Sequence, residues 1–301
     1  MTISAIIPTL NAGNQLRYLV YALKKQTVCP DEIIIIDSSS GDQTELIATE
    51  LGCRSMVIDR TRFDHGGTRN YGAGLAIGDI LLFLTQDAVP FNSLLIENLI
   101  TPLSDSQVVA SFARQIAKAD ANPPEQFARQ FNYPAIPCIK TLNALPAMGV
   151  KTFFFSNVCS AIKKQAYHDI GGFPDKIIMN EDMILAAKLI LSGSAIVYCP
   201  DAMVRHSHNY NMLQYFKRYF DIGVSLKMNS WIFNYIQAES EGIFFAKQQL
   251  NYLINNNYYQ WIPYTIALLI AKYIGFQLGL IQEKIPARFK RYISANNKFW
   301  S

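Results

Sequence analysis

The sequence predicts an α/β fold, a parallel or mixed sheet with helices on both faces, followed by a helical C-terminal appendage. Three observations predict it. Short apolar runs alternate with helix-spaced segments from Ser4 to Ala113. One of those runs, Ile33–Ile36, is isoleucine throughout, which suits a strand covered on both faces. Beyond residue 210 the alternation stops and helical spacing takes over.

The elements follow in order. Ser4–Leu10 reads as the first strand, and Leu16–Lys25 carries Leu16, Leu19, Val20 and Leu23 at helical spacing. After the isoleucine strand, Thr44–Leu51 reads as a helix and Ser55–Ile58 as a short strand. Arg69–Ile77 is helical and rich in small residues, and Ile80–Leu84 is a wholly apolar strand. Leu94–Leu103 reads as helix and Val108–Ala113 as strand. Residues 114–160 read as irregular, with Pro123, Pro124, Pro134, Pro137 and Pro146. That stretch is too apolar for a linker, so a lid or acceptor-side segment is expected. Met183–Leu191 is helical, while Ala195–Cys199 and Met203–Val204 are strand-like. A boundary near residue 210 separates a catalytic domain, 1–210, from a helical region, 211–301, suited to membrane docking or to homo-oligomer formation.

Composition excludes several classes. Half of the 301 residues are hydrophobic and 17% are charged, enough for a large core and too apolar for disorder. The five cysteines are scattered, odd in number and without a Cys-x-x-Cys pair, so reduced thiols are expected. Met1-Thr2-Ile3-Ser4 leads straight into a strand with no basic leader, so no signal peptide is expected and the cytoplasm is. The net charge is +4, and residues 283–301 alone supply it, with five basic residues against Glu283. The other 282 residues are neutral, with 22 of each sign. A neutral body disfavours nucleic acid, while a basic tail suits an anionic membrane.

In α/β sheets ligands bind beyond the C-terminal ends of the strands, and the chemistry-bearing residues here follow strands. Pro8-Thr9-Leu10-Asn11 follows the first and Asp37-Ser38-Ser39-Ser40-Gly41-Asp42 the second. A carboxylate there can accept from a base N–H or a ribose hydroxyl, or it can simply cap the next helix. The absence of Gly-x-Gly-x-x-Gly argues against a dinucleotide-binding domain. Asp87, in Thr85-Gln86-Asp87-Ala88, follows the apolar strand and needs compensation, by turn amides or by a divalent cation on a diphosphate. Asn180-Glu181-Asp182 opens a helix, where acids complement the helix dipole or one of them acts as a base. Arg205-His206-Ser207-His208 follows the last strand. In an extended segment its histidines point to opposite sides, so only one of them is expected to join Asp87. Gly66-Gly67 precede a helix, allowing close backbone approach to a ligand, and Arg69 can pair with a phosphate.

These stretches, in this order, resemble the family 2 glycosyltransferases of the GT-A fold. The resemblance covers residues 3–206 and rests on Ile6-Ile7-Pro8-Thr9-Leu10-Asn11, the Asp37 turn, Gln86-Asp87-Ala88 and Asn180-Glu181-Asp182. Within the family the chain is most similar to bacterial rhamnosyltransferases of O-antigen and surface polysaccharide synthesis. That narrower likeness rests on Phe63-Asp64-His65-Gly66-Gly67-Thr68-Arg69-Asn70, Phe83–Ala88 and His206-Ser207-His208-Asn209-Tyr210. The resemblance implies donor binding by Pro8, Thr9, Asn11, Asp37, Ser39, Gly67, Arg69 and Gln86. It implies Mg²⁺ or Mn²⁺ on Asp87 with His206 or His208, and Asp182 as general base with Glu181 as second candidate. The donor implied is dTDP-L-rhamnose and the acceptor a saccharide hydroxyl; if the C-terminal region docks, a lipid-linked acceptor and a peripheral position on the inner face of the plasma membrane are expected. A UDP-hexose donor and a catalytically silent sugar-nucleotide or glycan-binding module are the alternatives. The family's Asp-x-Asp is Gln86-Asp87-Ala88 here, which implies a cation held weakly or mainly through phosphates and water. The Gln-x-x-Arg-Trp motif of processive members is absent, with Gln214–Tyr219 only a loose echo, so single-sugar transfer is implied.

Residues 261–282 form one long apolar stretch. Its length allows spanning, but Lys272 at its centre opposes it by roughly 2.5–3.5 kcal/mol. A helix packed on its own domain or on a partner subunit, or one lying at a membrane interface with the basic tail, is expected instead.

Overall fold

The computed structural model describes residues 1–235 and 239–300. The first four strands are β1 (Ile3–Thr9), β2 (Glu32–Asp37), β3 (Arg54–Val57) and β4 (Ile80–Leu84), each within one residue of its expected place. Between and after them run α1 (Gly13–Lys24), α2 (Thr44–Glu50), α3 (His65–Leu75) and α4 (Leu95–Ile100). Then come β5 (Val89–Pro90) and β6 (Val108–Ile116), which flank α4 in the chain. The isoleucine strand splits its faces as a doubly covered strand must. Ile33 and Ile35 join the core under α1, while Ile34 and Ile36 join the core on the opposite face.

The region read as irregular is ordered. It holds α5 (Pro123–Asn132), β7 (Cys138–Lys140) and α6 (Leu145–Met148), and leads into β8 (Cys159–Lys163) and α7 (Lys164–Asp169). The prolines misled because Pro123, Pro124 and Pro146 sit at helix starts, where the missing N–H costs nothing. Phe153 and Phe155 from this stretch are buried in the core, so it is a packed part of the fold and not a free lid. The helix α8 (Glu181–Leu191) and the long strand β9 (Ala195–Arg205) complete this part. The two strand-like runs expected over 195–204 are one strand, interrupted by a register shift between Cys199 and Met203.

The sheet order is β3-β2-β1-β4-β8-β6-β9-β5, with β7 also on β9. β1 to β4 are parallel, β8 runs opposite to β4 and β6, and β9 is parallel to β6. Hence β1, β2, β4, β6 and β9 all end at one edge, and the residues preceding β8 lie there too. That edge collects Thr9, Asp37, Asp87, Asn157, Gln115 and His206.

The helical region holds α9 (Met212–Met228), α10 (Glu239–Asn255), α11 (Ile262–Leu280) and α12 (Ala287–Ile293). Asn211 and Gln214 form a capping box that starts α9. α11 packs on α9 backbone to backbone. A Cβ added at Gly279 would lie 2.2 Å from the Phe220 carbonyl oxygen, and one at Gly275 2.4 Å from that of Phe216. Thr265, Leu268 and Lys272 face inward with these glycines, and Ile266, Ile270, Tyr273 and Ile274 face outward. So α11 is packed along one face only. Lys272 does not interrupt an apolar surface, because its ammonium lies 4.3 Å from the Tyr215 ring centre and 5.4 Å from that of Tyr219.

Candidate active site

At the β1–β2 end, Asp37 is buried. Thr9 donates to its carboxylate at 3.0 Å, and the Ser40 N–H donates at 2.8 Å. Pro8 is half-buried in β1 opposite Ile36. Asn11 and Ser39 both adopt left-handed backbone, with φ of 49° and 53°, so the two loops bend tightly towards each other. The Asn11 side chain accepts from the Gly41 N–H at 2.9 Å, and the Asn11 N–H donates to Ser40 at 2.7 Å. Asp42 is spent locally, accepting from the Thr44 N–H at 3.0 Å. Gln86 clamps the next loop: its amide accepts from the Leu10 N–H at 2.8 Å and donates to the Leu10 carbonyl at 3.1 Å.

The sheet centre carries the second group. Val89 pairs with Arg205 and Pro90 with Val204, which brings the Asp87 loop against the end of β9. The Asp87 carboxylate oxygen lies 3.4 Å from His206 Nε2 and 3.3 Å from His208 Nε2, and the two nitrogens are 3.1 Å apart. Both histidines therefore face Asp87, not one of them. The alternation argument fails because β9 ends at Arg205, so the pleat no longer sets side-chain direction at 206–208. Lys118 Nζ, which sequence reasoning missed, lies 3.6 Å from the same oxygen. Burial pushes Asp87 up, but His206 beside it, with His208 and Lys118, outweighs that and holds the carboxyl well below its usual range. Burial lowers His206, and burial with His206 beside it lowers His208 to about 4. At neutral pH a carboxylate and two uncharged imidazoles thus turn lone pairs on one point, a donor set that fits a divalent cation.

The acid pair lies at the same sheet edge. Asn180, at φ 64°, turns the chain into α8. Glu181 is buried and ion-paired to Arg69 at 3.3 Å, and Arg69 also donates to the His65 carbonyl at 2.8 Å. The structure gives Arg69 this carboxylate partner instead of the phosphate expected of it. Gly66 and Gly67 lie inside the first turn of α3, not before it. Gly67 N–H donates to the capping Asp64, and a Cβ at Gly66 would lie 2.2 Å from the Pro174 carbonyl oxygen. The glycines serve close packing of α3 on the loop that leads to α8. Asn157, in the turn just before β8, was not anticipated. Its N–H donates to Asp182 at 3.3 Å, and its amide donates to Glu181 at 3.4 Å. Burial pushes Glu181 up, yet His65 and Arg69 hold it below the usual range. Burial, then the Glu181 charge, pushes Asp182 up to about 7. Neighbouring carboxylates with separated titration are how one site keeps an ion and a proton acceptor together. A cavity of 320 Å³ is lined by Arg114, Gln115, Lys118, Gln126, Arg129 and Tyr133, of which Lys118 reaches Asp87 and Gln115 reaches His206.

Residues 4–171 match the family described as Glycosyl transferase family 2. The chain belongs to that family. It is 39% identical over 304 residues to the O-antigen chain rhamnosyltransferase RfbN of Salmonella typhimurium, covering 100% of this chain and 96% of the relative. It is 40% identical to the O-antigen chain rhamnosyltransferase WbaN of Salmonella anatum, covering 98% and 95%. Among solved structures it is similar to the mannosyltransferase PcManGT of Pyrobaculum calidifontis, solved with GDP-Man and Mn²⁺. The TM-score is 0.66 at 16% identity, over 94% of this chain and 87% of that one. S. aureus TarS 1-349 gives 0.59 at 16% identity, over 98% and 83%. The fold is therefore the mixed GT-A sheet with its helices, and the protein is a glycosyltransferase.

The buried ion pair generates a stability prediction. Arg69→Met leaves Glu181 buried without its cation and should destabilise the fold by about 3–5 kcal/mol. Urea denaturation measures this, and adding Glu181→Gln to Arg69→Met should recover part of the loss. Equal stability of Arg69→Met and wild type would show that the pair is not holding α3 against α8.

Proposed function

We propose that this glycosyltransferase transfers L-rhamnose from dTDP-L-rhamnose to a hydroxyl of a lipid-linked saccharide, with inversion, at a membrane surface. The observation that carries the mechanism is that Asp182, held by the Asn157 N–H just before β8, and the Asp87–His206–His208 triad lie at the same edge of the sheet. The rhamnosyl assignment rests on the two near-full-length relatives, both named O-antigen chain rhamnosyltransferases.

Asp37, with Pro8 and Thr9, holds the base and ribose at the β1–β2 end. Asn11, Ser39 and Gln86 shape the loops that line it, Arg69 holds the acid pair through Glu181, and Gly67 closes the start of α3 on Asp64. Asp87, His206 and His208 would hold a Mg²⁺ or Mn²⁺ ion, and two imidazole donors favour Mn²⁺. Such an ion would offset charge on the leaving nucleoside diphosphate. Asp182 accepts the proton of the acceptor hydroxyl as that oxygen forms its bond to the anomeric carbon and the nucleoside diphosphate departs with the bonding pair. A single displacement inverts that carbon, and no carboxylate nucleophile is needed. Glu181 stays ionised and tied to Arg69, which leaves Asp182 as the base.

A donor panel tests this reading. Transfer should be greatest with dTDP-L-rhamnose, should stop in EDTA and should return with Mn²⁺ more fully than with Mg²⁺. Preference for a UDP-hexose would favour the alternative donor, and no transfer with any donor would favour a silent binding module.

The titration of Asp182 sets the expected pH dependence. The base must be deprotonated, so turnover should rise as pH passes through about 7 and level off above it. Asp182→Asn should lower turnover by about 10²-fold and abolish that rising limb. A full-speed variant would remove Asp182 from the role.

The membrane part rests on α11 and α12. The outward face of α11 bears Ile266, Ile270, Tyr273 and Ile274, and α12 exposes Arg288, Phe289, Arg291 and Tyr292. Among the described residues, Tyr259–Leu280 is the one helix long and apolar enough to cross a membrane, and a third of its window is buried against the protein. Aromatic and basic side chains side by side suit an anionic lipid interface. The protein should float with anionic liposomes, lose them as salt rises, and ignore neutral ones. Flotation that Arg288→Ala/Arg291→Ala leaves unaltered would overturn lipid docking by this face.

A further inference from the structure

Gln115, at the end of β6, is buried at 3% exposure and uses every hydrogen-bonding position of its side chain. Its Nε2 donates to the Tyr133 hydroxyl at 2.6 Å and to Ser156 Oγ at 2.8 Å. Its Oε1 accepts from Arg129 Nη1 and lies 2.9 Å from His206 Nδ1. Arg129 is in turn fixed by Glu125, which accepts from its Nε at 2.7 Å. Glu125 is buried, and its other oxygen accepts from the Tyr215 hydroxyl of α9 at 3.0 Å.

The direction of these bonds follows from chemistry. A guanidinium only donates, so the Gln115 atom facing Arg129 must be the oxygen. That same oxygen faces His206 Nδ1, so Nδ1 must carry the proton. A neutral imidazole has one N–H, which leaves Nε2 with its lone pair, and Nε2 is the atom beside Asp87. Flipping the amide would set donor against donor at Arg129, whereas the Tyr133 and Ser156 hydroxyls can serve either orientation, so the guanidinium alone decides it.

We propose that Gln115, locked by the Glu125–Arg129 pair, is a positioning residue that fixes His206 in the Nδ1–H tautomer and so makes Nε2 a permanent metal donor. This rests on the reading of Asp87, His206 and His208 as a cation site, but its first consequence is visible without metal. The arrangement explains why this strand end carries a fully satisfied buried glutamine. It also explains how a site with a single carboxylate holds a divalent ion: one of its nitrogens is pre-set and needs no tautomer change.

Nitrogen-15 histidine spectra of the full chain, metal-free at neutral pH, read the tautomer directly, with His206→Ala assigning the signal. His206 should show Nδ1 protonated and Nε2 bare. Gln115→Met, close in volume, should mix the tautomers, and Gln115→Glu, which still accepts from Nδ1, should keep the wild-type form. Titration of Mn²⁺ against the paramagnetic resonance signal of the free ion should show about 10–100-fold weaker binding in Gln115→Met. Gln115→Glu should bind at least as tightly as wild type, and melting curves verify folding. An Nε2–H tautomer in the wild type overturns the proposal, as does a folded Gln115→Met that binds Mn²⁺ like wild type. If the wild type binds no Mn²⁺, the cation reading fails and the tautomer alone decides. The wild-type tautomer likewise decides if Gln115→Met does not fold.

Discussion

The active edge depends on a two-residue ladder. Val89 and Pro90 pair with Arg205 and Val204, and this pairing carries the Asp87 loop across to the end of β9. A ladder that short has no stability of its own. It persists because β9 is already held by β6, and because the Phe91 N–H donates to the Met203 carbonyl at 2.9 Å. Arg205 adds its guanidinium over the Phe91 ring at 4.7 Å. Proline is tolerated there because β5 is the outermost strand, so its missing N–H faces no partner. A site built from residues more than a hundred positions apart thus rests on an edge contact that the rest of the sheet pre-aligns.

Given that contact, the site is a problem in compensating buried charge. Isolated carboxylates in a low-dielectric interior are expensive, and this edge holds four: Asp37, Asp87, Glu181 and Asp182. Each is handled differently. Asp37 takes backbone and hydroxyl donors, and Glu181 takes Arg69. Asp87 takes Lys118 and the imidazoles. Asp182 has only two backbone N–H donors, from Asn157 and Met183, and sits against the Glu181 charge. It is therefore the one whose ionised form is least supported, and the one able to pick up a proton near neutrality. Its reactivity follows from what its neighbours receive and it does not.

This also explains what the sequence disclosed. β1 to β4 were legible because buried strands cannot dilute their apolar signal, and Asp37, Asp87 and Asp182 were legible because a lone acid after such a strand, or at a helix start, demands a reason. Residues whose meaning depends on a distant partner were not. Asn157 is an ordinary amide until β8 carries it beside α8, and Gln115 is a polar interruption in an apolar strand until Arg129 and His206 arrive. The Gly66-Gly67-Arg69 stretch was noticed for a sound reason, since small residues and a cation need explaining. Its explanation is packing: α3 must approach Pro174 closely, and Glu181 needs a cation. The expectation that one histidine alone meets Asp87 applied strand geometry one residue too far.

The helical region after residue 210 is less separate than its composition suggests. Tyr215 donates to Glu125, Gln249 donates to the Pro124 carbonyl at 3.0 Å, and Ser225 donates to the Met179 carbonyl just before the acid pair. Phe127 of α5 stacks on Phe245 and Tyr252 of α10, with ring centres 5.4 Å apart in both cases. Lys272 of α11 lies over Tyr215, the same ring whose hydroxyl reaches Glu125. A continuous set of contacts therefore runs from the helix with the exposed apolar face to the glutamine behind His206. α5 is amphipathic and only ten residues long, too short to hold Glu125 and Arg129 by itself. Its outer face is covered by α9 and α10, so the helical region is part of what keeps Gln115 in place behind His206. The exposed apolar face and the support of Glu125 behind Gln115 thus rest on the same pair of packed helices, α9 and α11, whose close approach depends on Gly223, Gly275 and Gly279.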